Sequence, residues 1–135
     1  MKYIFRLILM VVLGYAFCLA DASANAELRM PVNAPRNQTP LMVIRFNVVD
    51  PLYEQPLYDT VSKALQVKPS ATFDIVSIAQ KASDDSEQQR FNEVAARNSR
   101  KVMNTLHEMG MPENRLNFTT ATEPVQSSEV RIFVH

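Results

Sequence analysis

The residues of this chain best suited to chemistry by type and spacing are charged and lie in its second half. Asp84, Asp85 and Glu87 fall within four positions, and Arg97, Arg100 and Lys101 fall within about one turn of a helix. Close acids can pair for acid–base work or hold calcium. They also complement the positive N-terminus of a helix, which the dipole alone favours, and the pattern that follows them supports that role. The basic trio, with acids nearby, reads as the solvent face of the same helix.

Other reactive types are scattered. His107 and His135 are the only two histidines, too far apart in sequence for a recognisable metal set or triad. Ser62, Ser77, Ser83 and Ser86 have no base beside them in sequence. No Gly-x-Ser-x-Gly, His-x-x-x-His or phosphate-cradling glycine loop occurs, and Gly110 is the only glycine beyond the first 26 residues. Phe46, Tyr53 and Tyr58 gather around one junction, where aromatic residues commonly edge a core; exposed, they would mark a partner-binding surface. The expectation is a non-enzyme with no cofactor and no metal.

The first residues set the compartment. Lys2 and Arg6 precede an apolar run, Leu7 to Ala20, of about 14 residues. That length suits a secretory signal peptide and is short for a membrane-spanning helix, the alternative reading. Ala22-Ser23-Ala24 and Ala24-Asn25-Ala26 offer small residues for cleavage, and residues 1–26 are assigned as the signal, with a cut after Ala24 as the alternative. Cys18, the only cysteine, follows Phe17, a poor setting for lipid attachment. Cleavage would leave no thiol and no disulfide. It would also remove Lys2, Arg6 and Asp21 from 14 basic and 14 acidic residues, leaving 12 and 13. Near-neutral charge gives no footprint for nucleic acid. The membrane is met only through the signal, and the expected location is the periplasm, with outer-membrane association as a variant.

Residues 27–40 contain Pro31, Pro35 and Pro40 without periodicity and read as a linker. Residues 41–135 form one domain. Alternation predicts a strand over Leu41–Val49, ended by Asp50-Pro51. Pro56 suits the first turn of a helix whose inner face is Leu57, Val61, Ala64 and Leu65, stopped at Lys68-Pro69-Ser70. Phe73–Ala79 is a second strand. After a polar stretch, Gln80–Gln89, a long helix runs to Met109 with Phe91, Val94, Ala95, Val102, Leu106 and Met109 inward and Asn98 interrupting the stripe. Ser83 or Ser86 is the expected N-cap and Gly110 the C-terminal stop. Arg115–Ala121 and Val130–Val134 are the last strands, linked by Thr122–Ser128 and expected as a terminal pair. The fold class is α/β of the α+β sandwich type: βαβαββ, a mixed four-stranded sheet with two helices on one face.

This order, with the segment Met109-Gly110-Met111-Pro112-Glu113-Asn114-Arg115-Leu116, resembles the OmpA-like C-terminal domain family, which places a Gly-Ile-Pro-x-x-Arg-Ile turn after its long helix. That family also ends on a short strand like Val130–Val134. The resemblance covers Leu41 to His135 and implies binding to the diaminopimelate of peptidoglycan. The family motif runs Asp-x-x-Gly, an Asn, Leu-Ser-x-x-Arg-Ala and a Val. Anchored on Val102 without gaps, its Asp falls at Ser83, its Gly at Ser86, its Asn at Phe91, its Leu at Val94 and its Arg at Asn98. The apolar scaffold is retained and the charged contacts are not. Asp84 and Arg97 each stand one residue away and are the candidate peptidoglycan contacts. One residue on a helix is about 100° of rotation, so Arg97 cannot simply replace Asn98.

The leading functional expectation is a non-catalytic interaction domain of the cell envelope with an envelope protein as partner, set in a larger envelope or secretion assembly. The alternative is a peptidoglycan anchor using Asp84 and Arg97 after a local shift of register.

Overall fold

A computed structural model of the chain describes residues 38–135; the segment read as a signal peptide, residues 1–26, and residues 27–37 of the expected linker lie outside them. The described residues follow the order β1 (Met42–Arg45), α1 (Glu54–Val67), β2 (Phe73–Gln80), α2 (Asp85–Glu108), a 3-10 turn (Glu113–Arg115), β3 (Leu116–Glu123) and β4 (Glu129–Val134). The strands form one mixed sheet, β1-β4-β2-β3. β4 is antiparallel to both β1 and β2, and β2 runs parallel to β3. This is the βαβαββ order and mixed four-stranded sheet expected from the residue pattern, but β3 and β4 do not form the expected terminal pair: β4 inserts between β1 and β2, leaving β3 at the edge.

The period-two pattern divides the sheet into two faces. Ile44, Phe73, Ile75, Val130 and Ile132 point to one side and are buried with Leu57 and Val61 of α1 and Val102 and Leu106 of α2. Both helices therefore close the same face. Val102 and Leu106 are fully enclosed, as the helical stripe requires. The opposite face carries a smaller buried cluster of Val76, Ile78 and Phe133, with Ala121 and Val125 packed against it.

Several boundaries differ from the sequence expectation. β1 ends at Arg45, not Val49, because Arg45 pairs with Glu129, the first residue of β4, and beyond that pair only the Phe46 N–H still bonds across, to the Ser128 carbonyl. α2 begins at Asp85, inside the polar stretch expected to connect it. Its N-cap is Asp84, not Ser83 or Ser86. The Asp84 carboxylate accepts the Glu87 N–H at 2.9 Å and the Ser86 hydroxyl at 2.7 Å. A charged acceptor gains more at the positive end of a helix than a hydroxyl does. Val94 is 41% exposed, and the buried stripe is Ala95, Ser99, Val102 and Leu106. Ser99 can be buried because its hydroxyl donates to the Ala96 carbonyl, 3.1 Å away.

Gly110 ends α2 with φ +86°, a conformation open to glycine at little cost. Its N–H donates to the His107 carbonyl at 2.8 Å, and the Met111 N–H to the Leu106 carbonyl at 3.0 Å. These two bonds are the paired closure of a Schellman turn, and Met111 is buried in the core beyond it.

Candidate interaction surface

The loop from β1 to α1 gathers exposed apolar side chains. The Phe46 N–H still donates to the Ser128 carbonyl at 3.0 Å, so the chain leaves the sheet only after Phe46. Tyr53 then precedes α1 and is buried. Its ring meets Phe46 edge-on, with centroids 5.9 Å apart and planes at 61°. The Tyr53 carbonyl accepts the Leu57 N–H at 2.8 Å, joining this aromatic pair to the first helical turn.

Anchored at both ends, the loop turns its remaining apolar residues outward. Val49 is 93% exposed and Leu52 97%, and Val48 is also exposed. Beside them a cleft of 640 Å³ opens between the loop and the C-terminal half of α2, lined by Phe46, Pro51, Leu52, Tyr53, Asn104 and Glu108. Lys101 reaches Asp50 across it at 3.3 Å. Both partners are solvated, so this pair holds the loop only weakly. Scattered apolar residues on a surface are ordinary, but three on one short loop, rimmed by charge, suit a protein contact. Of the three aromatics singled out in the sequence, Phe46 and Tyr53 form the floor of this site. Tyr58 is exposed on α1. The aliphatic residues Val48, Val49 and Leu52 were missed, because alternation through Val49 reads as more strand. Their signal is the Asp50-Pro51 break, which leaves the residues before it without a pairing partner.

Asp84 and Arg97, the expected peptidoglycan contacts, are kept apart. Asp84 is engaged as the α2 N-cap. Its carboxyl is held below the ordinary value by the Glu87 N–H first, then by the Ser86 hydroxyl. Arg97 lies exposed on the same uninterrupted helix. Thirteen residues at 1.5 Å rise separate them by about 20 Å along the axis. A single small ligand does not reach both. The helix also runs through positions where a register shift would be needed. Ser83 is exposed beside the cap, whereas Asn98 faces inward and donates to the Ser128 hydroxyl at 2.8 Å. Asn98 thus ties α2 to the start of β4, beside the Phe46–Ser128 backbone bond.

The remaining reactive types are placed as structural groups. Ser77 is buried, and its hydroxyl donates to the Ala95 carbonyl at 3.2 Å, which fixes α2 over β2. His135 Nε2 meets Asp74 Oδ2 at 2.8 Å, and Asn117 donates to the other Asp74 oxygen at 2.9 Å. His107 is exposed, with Nδ1 3.2 Å from the Met111 carbonyl. Among the described residues no group of three or more His, Cys, Asp or Glu is arranged to hold a metal ion.

The sheet face away from the helices holds the densest charge network. Glu129 accepts from Arg45 Nε at 3.0 Å and from Arg131 Nε at 3.1 Å. Arg131 extends further to Glu123, with Nη2 at 2.8 Å from a carboxylate oxygen. Because β2 lies between β4 and β3, this reach carries the arginine stem across β2, above Val76 and Ile78. Burial alone would lower the affinity of the guanidinium for its proton. The hydrogen bonds and charges of Glu123 and Glu129 outweigh that, and its pKa lies above the ordinary arginine value. No helix of the described residues is long and apolar enough to cross a membrane. No family model matches the chain, and no curated protein matches it as a relative.

Proposed function

We propose that this chain is an exported, non-catalytic interaction domain of the bacterial cell envelope, divergent from the OmpA-like group. It binds an envelope protein within a larger envelope or secretion assembly. The observation that carries the reading is the β1–α1 loop, where Val48, Val49 and Leu52 stand exposed beside a cleft with an aromatic floor. Apolar side chains on a loop anchored at both ends lose little freedom when a partner covers them, which favours binding. The apolar leader at residues 7–20 supports export. The element order supports the kinship but assigns no ligand, since one fold serves many functions.

Cross-linking in intact cells, followed by capture of the protein from the envelope fraction, tests the reading. A specific envelope protein is expected with wild type and is lost with Val49→Asp/Leu52→Asp, while Arg97→Ala retains it. A partner that survives the double substitution would refute the loop as the contact. Sedimentation with purified sacculi, run in parallel, is expected to leave wild type in the supernatant. Co-sedimentation abolished by both Asp84→Ala and Arg97→Ala would replace this reading with a peptidoglycan anchor.

A further inference from the structure

β3 is an edge strand whose backbone is poised to pair. Residues Phe73 to Gln80 of β2 pair in parallel with Leu116 to Glu123, and the Lys81 N–H donates to the Glu123 carbonyl at 2.9 Å. That bond sets the phase of the ladder, because bonding direction alternates residue by residue. Asn117, Thr119, Ala121 and Glu123 turn their N–H and C=O groups toward β2. Phe118, Thr120 and Thr122 turn theirs outward, and among the described residues no strand lies there.

Exposed edges are commonly blunted by lysine, proline, a bulge or shortness. β1, the other edge, is four residues long and ends on Arg45. β3 is eight residues long, reads LNFTTATE, and carries none of these guards. Its only charge is Glu123. Phe118 lies on the helix side of the sheet and is 47% exposed.

We propose that β3 pairs with β3 of a second copy of this chain, antiparallel about a twofold axis through Thr120, giving one continuous eight-stranded sheet. The sequence of the strand is self-complementary in this register. Thr120 opposes Thr120 of the second copy, and Phe118 opposes its Thr122, so all three outward-facing residues bond. Thr119 then meets Ala121, and Glu123 meets Asn117, an acceptor against a donor with no like charges opposed. The register centred on Thr119 is inferior, because it would require the Leu116 N–H, which already donates to the Glu113 carbonyl. Pairing also covers the exposed Phe118 ring with the threonines of the second copy. The β1–α1 loop takes no part, so this inference is independent of the proposed envelope partner.

Sedimentation velocity of the purified protein from about 1 µM to 1 mM tests it. A concentration-dependent monomer–dimer equilibrium is expected. Thr120→Pro removes an outward N–H from each copy and spares the β2 ladder, and should weaken the dimer about tenfold or more. Thr120→Lys keeps the N–H but places two lysines on the axis, and should weaken it comparably. Circular dichroism and thermal melts establish that each variant is folded. In a Cys18→Ala background, oxidised Thr120→Cys is expected to form a covalent dimer. A wild type that stays monomeric at the highest concentration overturns the proposal. So does a dimer that folded Thr120→Lys leaves unchanged.

Discussion

Replacing Arg131 with alanine tests why Val76 and Ile78 are buried on a sheet face that no described helix covers. Arg131 is 25% exposed along its side chain and Glu129 10%, so the pair lies between a surface bridge and an interior one. Two losses follow from the substitution. Glu129 keeps Arg45 on one oxygen but loses both Arg131 bonds on the other, leaving a largely buried acceptor unsatisfied. Such a group costs about 1–3 kcal/mol, and full interior pairs cost more when broken. The arginine stem also leaves the apolar cluster it shields, which adds about 1 kcal/mol at ordinary area coefficients. The total is about 3 kcal/mol. Urea unfolding followed by circular dichroism measures it, with an unchanged m-value showing that the same surface is exposed. Arg131→Met keeps the apolar cover and loses only the charge, so about 2 kcal/mol is expected. Arg131→Met/Glu129→Leu removes the stranded carboxylate as well and should recover most of that loss. A cost for Arg131→Ala below about 0.5 kcal/mol would place the side chain among ordinary surface residues and refute the cover it is held to provide.

Leu106→Ala empties a fully enclosed position in the main core and should cost about 2–5 kcal/mol in the same assay. Gly110→Ala meets no neighbouring atom but must hold φ +86°, so a loss of about 1–2 kcal/mol is expected from the backbone alone. Asp84→Ala removes the α2 cap and should lower the melting temperature by less than Leu106→Ala does. Because the Asp84 carboxyl is depressed on folding, its contribution is complete above its unfolded value of about 3.8 and fades as pH falls through the folded value. The difference between wild type and Asp84→Ala should therefore be largest near neutrality and shrink in acid. Under the proposed export, N-terminal sequencing of the protein recovered from cells should begin at Glu27, and an intact Met1 in the membrane fraction would contradict export by cleavage.

Periodicity was legible in the chain wherever one face of an element packs on the core. Leu57 and Val61, the apolar run of β2, Val102 and Leu106, and the Gly110 stop each follow from local spacing, because burial imposes the same period on sequence and structure. The element order and the mixed four-stranded sheet followed from two strand–helix–strand crossovers, but the strand order did not, because β4 lies between β1 and β2 and does not pair with β3. What local pattern left open was decided between elements. The length of β1 depends on where β4 begins, 84 residues away, and so the exposure of Val48 and Val49 depends on it too. Asn98 looked like a flaw in an apolar stripe until Ser128 stood opposite it. Asp84 and Arg97 looked like neighbours of a ligand motif, yet an unbroken helix holds them about 20 Å apart. The reach of Arg131 over β2 exists only because β4 and β3, successive in the chain, flank β2 in the sheet. Adjacency of that kind is a property of the assembled sheet, since spacing along the chain does not record which strand lies between two others.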